Sequence, residues 1–372
     1  LPSEPKIFHG RELQVSHILE LFSQDTPRIA ILGAGGIGKT ILARILLHHT
    51  DITARYGQQR FFVACDTASA KADLAGLIGA HLGLKPGEDL TRAVIQHFSN
   101  GPPSLLILDN LETVWEPMES RGQIEEFLSL LTDVVHLALM ITMRGAERPS
   151  KVKWTHPFVP PLIPLSADAA RHTFIEIADT SHDPELVDQV LALTDYLPLA
   201  ISLVASLVDS EGCQNVLARW EQEKTSMISD GYDRRSNLDL SISLSLSSPR
   251  LNAHARDLLS LLSILPDGFA DVDLIHSGLP LDNIRSSRAA LVATALAYTD
   301  GRKRLKALVP IREYMQKSKP PGDHLIRPLL KYFHDVLAAY VRDSFSSPEL
   351  LPPIYSNFSN IQNLLRIGLS QG

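Results

Sequence analysis

Short apolar runs and amphipathic segments alternate along the first part of this chain. The apolar runs predict buried strands at 29–32, 60–65, 104–109 and 137–144. The segments between them carry apolar residues three or four positions apart, a period that predicts helices with one buried face. Strands that alternate with helices are typical of an α/β fold, so we expect a parallel sheet with helices on its faces.

The pattern changes after the fourth strand, where prolines become frequent. Pro157, Pro160, Pro161 and Pro164 predict that the sheet ends there and that a linker leads into helical domains. Helices are then predicted at 166–178, 184–193, 252–263, 270–277, 281–297, 323–342 and 354–369, with a short hairpin at 298–308. Polar segments at 230–236 and 344–353 interrupt this series. We therefore predict four domains, 1–155, 156–236, 237–320 and 321–372.

A glycine-rich segment joins the first predicted strand to a helix. Residues 33–40, GAGGIGKT, match the phosphate-loop pattern G-x-x-x-x-G-K-[ST] in the required strand-to-helix context. Glycines let successive backbone N–H groups turn toward a polyphosphate, and the helix N-terminus adds its positive dipole end. Lys39 would reach the β- and γ-phosphates, and Thr40 would ligate Mg²⁺. The predicted nucleotide-binding residues of the loop are Gly33, Gly35, Gly36, Ile37, Gly38, Lys39, Thr40 and Ile41.

Two later strands also end in polar residues that suit a magnesium nucleotide. Asp109 ends the third strand, and a carboxylate at that edge can hold Mg²⁺ together with Thr40, partly through water. Glu112 is the nearest carboxylate able to orient a water for hydrolysis, with Asn110 as a polar helper, although a solvated turn glutamate explains the same residue. Arg144 ends the fourth strand, where a cation could stabilise a transferring phosphate or simply lie on the surface.

The composition and net charge of the chain limit the kinds of molecule that it is expected to bind. The chain is 44% apolar and 21% charged, as in globular proteins, and its net charge of −7 argues against sequence-independent binding to nucleic acid or to an anionic membrane. The sequence has no run of about 18 uncharged apolar residues that would predict a membrane span. Its two cysteines, Cys65 and Cys213, lie far apart, which predicts neither a disulfide framework nor a zinc site. We expect a cytoplasmic protein.

Three short segments, in their order along the chain, resemble motifs of the STAND class of NTPases. Residues 8–12, FHGRE, precede the glycine loop and resemble the "GRE" element beside the adenine, so Gly10 and Arg11 become candidate nucleotide-binding residues. The tip Thr-Met-Arg of the fourth strand resembles the sensor motif whose arginine, here Arg144, reads the γ-phosphate. Residues 197–200, LPLA, resemble the segment whose proline, here Pro198, packs against the base.

Together these motifs resemble an NB-ARC-type module of a fungal NLR-like protein. The resemblance implies an α/β P-loop NTPase, a small helical domain, a winged-helix domain and the start of a helical repeat array. It also places a helix at 238–246, where leucine and isoleucine alternate with polar residues as in a strand. The missing initiator methionine leads us to expect a fragment, with an N-terminal effector domain and C-terminal repeats outside it.

The function implied by the resemblance is an ATP/ADP switch that requires Mg²⁺. ADP would hold the domains closed, ATP would open them for homo-oligomerisation, and ATP hydrolysis would be slow. The chain departs from the family at Leu308, where other members carry a histidine that contacts the β-phosphate, and at Tyr196, where they carry glycine. Because leucine cannot donate a hydrogen bond, we expect residues 238–372 to contribute little direct phosphate binding.

Two other classes of function stay open. One is a turnover enzyme, either a small-molecule kinase or an ATPase motor, although no second substrate motif is apparent. The other is a transcription regulator that binds DNA through its winged helix, to which the basic run 302–304 would contribute. The acidity of the chain and its NTPase context favour an intramolecular lid over a DNA-binding role for this region.

Overall fold

A computed structural model describes residues 1–85, 89–223, 238–342, 354 and 356–370. The chain forms two compact units: residues 1–192 with 196–213, and residues 193–195 with 214–372. The polar segments predicted at 230–236 and 344–353, and the domain boundary predicted at 236, lie outside the described residues. The four-domain division remains a prediction.

The first unit is built on a sheet of four parallel strands. These are β1 (Arg28–Gly33), β2 (Arg60–Ala64), β3 (Ser104–Asp109) and β4 (Leu137–Arg144), and their spatial order is β1-β4-β3-β2. In the register, Gly33 lies opposite Arg144 and Ala64 lies opposite Asp109. The carboxyl ends of the strands therefore meet at one edge of the sheet. The predicted parallel α/β fold is confirmed.

Among the described residues, seven helices accompany this sheet. They are α1 (Glu12–Phe22), α2 (Lys39–His48), α3 (Thr50–Tyr56), α4 (Lys71–His81), α5 (Leu90–Asn100), α6 (Glu112–Trp115) and α7 (Met118–Thr132). The largest fully buried side chains of the core include Phe98, Trp115 and Phe127. Burying a large apolar side chain stabilises a fold by about 1.5–3 kcal/mol, so these anchors hold the helices on the sheet.

Two residues at the proline-rich segment bond to the edge strand β1. The Thr155 N–H donates to the Arg28 carbonyl at 3.0 Å, and the Leu162 N–H donates to the Leu32 carbonyl at 2.8 Å. Leu162 also forms an isolated parallel bridge with Gly33. These are isolated contacts, and the four strands of the sheet all precede the proline-rich segment, as predicted. Prolines lack an N–H, but the residues between them can still bond to an edge strand.

The helices between the proline-rich segment and residue 223 come next. They are α8 (Ala167–Ala178), α9 (Pro184–Leu193), α10 (Pro198–Glu211) and α11 (Cys213–Glu223). The Ser166 hydroxyl caps α8 by accepting from the Ala169 N–H at 3.3 Å, and Pro198 stands in the first turn of α10, where a missing N–H costs nothing. Tyr196 has φ of 56°, a left-handed conformation that glycine adopts with less strain than tyrosine.

The second unit contains helices and a small antiparallel hairpin. Besides most of α11, its elements are α12 (Leu238–Leu246), α13 (Ala253–Ser263), α14 (Asp271–His276), α15 (Ile284–Ala293), β5 (Tyr298–Thr299), β6 (Leu305–Lys306), α16 (Val309–Ser318), α17 (Asp323–Arg342) and α18 (Phe358–Ser370). Residues 238–246 form the expected helix despite their alternating pattern. The helix predicted at 281–297 is observed as the shorter α15. Asn283, left-handed with φ of 54°, is the N-cap of α15, and Thr294 is its C-cap.

None of the helices in the described ranges combines the length and the apolarity needed to cross a bilayer.

Candidate nucleotide-binding site

The glycine loop links β1 to α2 in a tight, left-handed course. Gly36 has φ of 74° and Gly38, the N-cap of α2, has φ of 95°, both in the region that favours glycine. The Lys39 ammonium donates to the Gly33 carbonyl at 3.0 Å and to the Ala34 carbonyl at 2.8 Å. The loop therefore arches around its own lysine, in the arrangement that a phosphate-binding loop requires.

A hydroxyl and a carboxylate meet beside this loop, as predicted for the metal site. The Thr40 hydroxyl donates to the Asp109 carboxylate at 2.8 Å, and Asp109 is fully buried. Mg²⁺ takes oxygen ligands and keeps several waters, so these two side chains fit its donor set. Within the described residues no group of three or more His, Cys, Asp or Glu side chains could hold a metal. A Mg²⁺ held by Thr40 and Asp109 would complete its shell with phosphate and water.

The two residues predicted to act on the γ-phosphate form a buried ion pair. The Arg144 Nε lies 3.2 Å from a carboxylate oxygen of Glu112, and the Arg144 backbone N–H donates to the other oxygen at 3.3 Å. Their side chains are 10% and 5% exposed, so the pair is shielded from solvent. The prediction gave Glu112 and Arg144 separate roles. The geometry joins them and excludes the solvated turn glutamate.

Further carboxylates make this end of the sheet anionic. Burial, followed by the charges of Asp109, Glu112 and Asp66, raises the pKa of the Cys65 thiol well above its usual value. Cys65 follows β2, and its backbone N–H donates to the Asp109 carbonyl at 2.8 Å. Because these carboxylates disfavour a further anion, a ligand that carries phosphates needs Mg²⁺ and Lys39 at this edge.

The GRE element contacts the glycine loop through a hydrogen bond from the Arg11 side chain to a backbone carbonyl of the loop. Arg11 is 5% exposed, and one guanidinium nitrogen donates to the carbonyls of Ile37 at 3.3 Å and Ile163 at 2.5 Å. Burial lowers the pKa of this guanidinium. The family resemblance places Arg11 beside the adenine, which stays a prediction; its charged end lies on loop carbonyls, so it also positions the loop. Gly10 packs against α8, where a Cβ atom would lie 2.3 Å from the Cβ of Ala169.

The LPLA segment contacts the same loop from α10. The Leu199 N–H donates to the Gly36 carbonyl at 3.1 Å, and a Cβ on Gly36 would lie 2.9 Å from the Cβ of Leu199. A Cβ on Gly38 would lie 3.9 Å from the ring of Pro198. Consecutive loop carbonyls, at Gly36 and Ile37, are therefore held by the LPLA and GRE elements.

The remaining loop candidates differ in exposure. Ile37 is 1% exposed, so its side chain anchors the loop in the core, whereas Ile41 in α2 is 38% exposed. Gly35 lies in the turn of the loop beside Gly36. These residues can contribute backbone groups to a ligand, and Ile41 can also contribute an apolar surface.

Two residues of the strand edge were not singled out from the sequence. The Thr142 hydroxyl donates to the Asp109 carboxylate at 2.6 Å, and the Asp66 carboxylate accepts from the Asn110 side-chain amide at 3.1 Å. The Asn110 side chain therefore contacts the carboxylates of Asp66 and Asp109. The sequence had suggested that it assists Glu112 in orienting a water. Thr142 stands in the Thr-Met-Arg tip of β4, a signal that could have identified it; Asp66 follows β2 with no motif of its own.

Replacing Gly10 with alanine should weaken nucleotide binding. The new Cβ would overlap the Cβ of Ala169 at 2.3 Å, so the GRE element and Arg11 must shift away from the loop. We expect at least a fivefold loss of ADP affinity in a calorimetric titration, about 1 kcal/mol. Gly83→Ala is the matched control, because Gly83 has φ of 70°, close to the 72° of Gly10, but nothing lies within 4 Å of its added Cβ. Equal affinities in the two variants would contradict this packing role.

Comparisons with known proteins agree with the motifs. Residues 2–153 match the family model of Novel STAND NTPase 1. The chain is 26% identical over 138 residues to the disease resistance protein RGA4 of Solanum bulbocastanum, a match that covers 34% of this chain and 14% of that protein. This chain thus spans only a small part of that relative's length.

Solved structures support the fold of the chain. The Walker-type ATPase PABY2304 of Pyrococcus abyssi superposes with a TM-score of 0.58 at 13% identity, over 85% of this chain and 98% of that one. A STAND protein with a tetratricopeptide repeat sensor from Pyrococcus horikoshii matches 98% of this chain and 54% of its own at 15% identity; its TM-score of 0.38 is too low to support an inference. The first likeness shows the fold alone.

Proposed function

Because the chain carries a STAND-class P-loop NTPase domain, we propose that it works as a Mg²⁺-dependent ATP/ADP switch. The observation that carries the proposal is the single edge at which the glycine loop, the Thr40–Asp109 contact and the Glu112–Arg144 pair meet. This arrangement supplies phosphate-binding groups, a Mg²⁺ site, and a cation and a carboxylate for the γ-phosphate. We assign Lys39 and Thr40 to phosphate and metal binding, Asp109 to the metal, and Arg144 to sensing the γ-phosphate.

The buried ion pair suggests how these residues distinguish ATP from ADP. With ADP, Arg144 stays on Glu112, because no γ-phosphate competes for the guanidinium. With ATP, Arg144 turns toward the added charge, and Glu112 becomes able to orient a water. Bound Mg²⁺ would neutralise charge on the phosphates. Since each turnover must break a buried ion pair, hydrolysis is slow, as suits a switch rather than a motor.

The proposal extends to the domains around the site. Arg11 and Leu199 hold adjacent carbonyls of the glycine loop, so a change in the loop on nucleotide exchange reaches both the GRE and LPLA elements. We propose that ADP favours a closed chain and that ATP opens it for association with further copies. The STAND resemblance supports this part of the proposal, and light scattering of the ADP- and ATP-loaded protein would test it.

Lys39→Ala tests the nucleotide-binding proposal. The change removes the main cation facing the β- and γ-phosphates, so we expect the affinity for Mg·ADP to fall at least tenfold, about 1.4 kcal/mol. Titration calorimetry of the full 372-residue chain measures this, with Lys151→Ala as a control because Lys151 is exposed. Unchanged affinity in Lys39→Ala would contradict the proposal.

A further inference from the structure

Asn110 lies between two carboxylates at the strand edge. It follows the metal-binding Asp109 directly and has φ of 58°, an uncommon backbone conformation for a residue with a side chain. Its side-chain amide donates to Asp66 at 3.1 Å and makes a longer contact of 3.5 Å with the second carboxylate oxygen of Asp109. Asp66 and Asp109 are thus bridged by one amide group.

The backbone of Asn110 also acts on the metal-binding carboxylate. Its N–H donates to the Thr142 hydroxyl at 3.0 Å, and that hydroxyl donates in turn to Asp109 at 2.6 Å. Because the oxygen of Thr142 accepts from Asn110, its own proton is directed at Asp109. Both carboxylate oxygens of Asp109 therefore have a partner whose orientation depends on Asn110.

Metal binding is compatible with all of these contacts. A hydroxyl that ligates Mg²⁺ uses an oxygen lone pair and keeps its proton, so Thr40 could hold the metal and still donate to Asp109. The bonds from Thr142 and Asn110 would keep the Asp109 carboxylate oriented beside the metal. Groups outside the metal shell that orient its ligands commonly change metal affinity by 10–100-fold when removed.

We propose that Asn110 is a positioning residue for the Mg²⁺-binding carboxylate of Asp109 and that Asp66 acts through it, by holding its amide toward Asp109. This inference rests on the proposed nucleotide function. It gives a role to a carboxylate that follows the sheet's β2 and that neither the phosphate-loop motif nor the sensor motif includes.

The test compares Mg²⁺ dependence in matched variants of the full chain. Asn110→Gly removes the amide but keeps the backbone N–H and suits the positive φ, so the fold is preserved. ADP binding is titrated in chelator and at increasing Mg²⁺. We expect Asn110→Gly and Asp66→Ala to raise the Mg²⁺ concentration for half-maximal enhancement about tenfold. ADP affinity in chelator should be unchanged in Asn110→Gly and unchanged or higher in Asp66→Ala, which removes a negative charge. Asp66→Asn, which still offers an oxygen to Asn110, should stay within about threefold of the native chain.

The double variant Asp66→Ala with Asn110→Gly separates a relay from two independent effects. A relay predicts no further loss beyond either single change, because the proposed effect of Asp66 on Asp109 passes through Asn110. Additive losses, or an unchanged Mg²⁺ requirement in Asn110→Gly, would overturn the inference while leaving ADP binding intact. A native chain that binds ADP neither in chelator nor with Mg²⁺ would instead overturn the proposed function, and the inference with it.

Discussion

Replacing Arg144 with alanine should separate ATP binding from ADP binding. If Arg144 leaves Glu112 for the γ-phosphate, its loss removes a charge-assisted hydrogen bond worth about 1.5–3 kcal/mol, and this loss applies to ATP alone. We therefore expect ATP affinity to fall by about ten- to a hundredfold and ADP affinity to change by less than about threefold. Competition of each nucleotide against a fluorescent ADP analogue measures both values on one sample.

Glu112→Gln is the informative companion variant. It keeps the shape of the side chain but removes the charge that holds Arg144 at 3.2 Å in the buried pair. ATP affinity should therefore stay at or above the native value, while hydrolysis falls because glutamine is a poor base. Equal losses for ATP and ADP in Arg144→Ala would mean that the arginine has a structural role only.

Replacing Arg304 with alanine should strongly destabilise the second unit. Arg304 is 5% exposed and donates to the carbonyls of Asp267 and Gly268, both at 2.8 Å, and to the Asn357 side chain at 2.5 Å; it also lies 3.7 Å from the Asp273 carboxylate. Removing one partner of a buried ion pair costs about 3–5 kcal/mol. Urea unfolding measures the loss in the free energy of unfolding, and hydrogen exchange of the α18 amides shows whether this unit is the part that is destabilised.

Arg302→Ala provides the control, because Arg302 is exposed on the same hairpin. Its free energy of unfolding should stay within about 0.5 kcal/mol of the native value.

The variants Arg302→Ala and Arg304→Ala also test the DNA-binding alternative. Arg304 is held by intramolecular bonds, so the basic run offers DNA fewer cations than the sequence suggested. Salt-dependent DNA binding that Arg302→Ala weakens would revive that alternative, and native stability in Arg304→Ala would refute the buried role.

The same contacts connect the hairpin region to the C-terminal helices. The Asp267 carboxylate accepts from the backbone N–H groups of Ser359 and Asn360 at 2.7 and 3.0 Å, and the Tyr332 hydroxyl donates to Asp273 at 2.7 Å. We therefore expect a fragment cut at the predicted boundary near residue 320 to fold poorly, since it leaves buried carboxylates without these donors.

The sheet and its functional edge were predictable because their signals are local. A strand buried on both faces must be a continuous apolar run, and Asp109 and Arg144 each follow such a run directly. Parallel pairing then brings their ends together without further information. The glycine loop has a fixed spacing that its backbone geometry requires.

What the sequence did not reveal depends on contacts between distant segments. Arg11 bonds to Ile163, 152 positions away, so a motif read locally could not show that its charge holds backbone carbonyls. Arg304 was assigned to a basic surface run because the residue type gives the charge of a side chain but not its burial. The helix α15 is shorter than predicted because Asn283 has a left-handed backbone conformation. Asparagine tolerates this conformation, but its presence in the sequence does not predict it.

The nucleotide content of the purified chain tests the central claim most directly. The protein is purified with Mg²⁺, heated, and the released small molecules are identified by chromatography for the native chain and for Lys39→Ala. The switch predicts close to one adenine nucleotide per native chain, mainly ADP, and little from Lys39→Ala. A native chain that releases neither ADP nor ATP, and that binds neither at millimolar concentration, would contradict it.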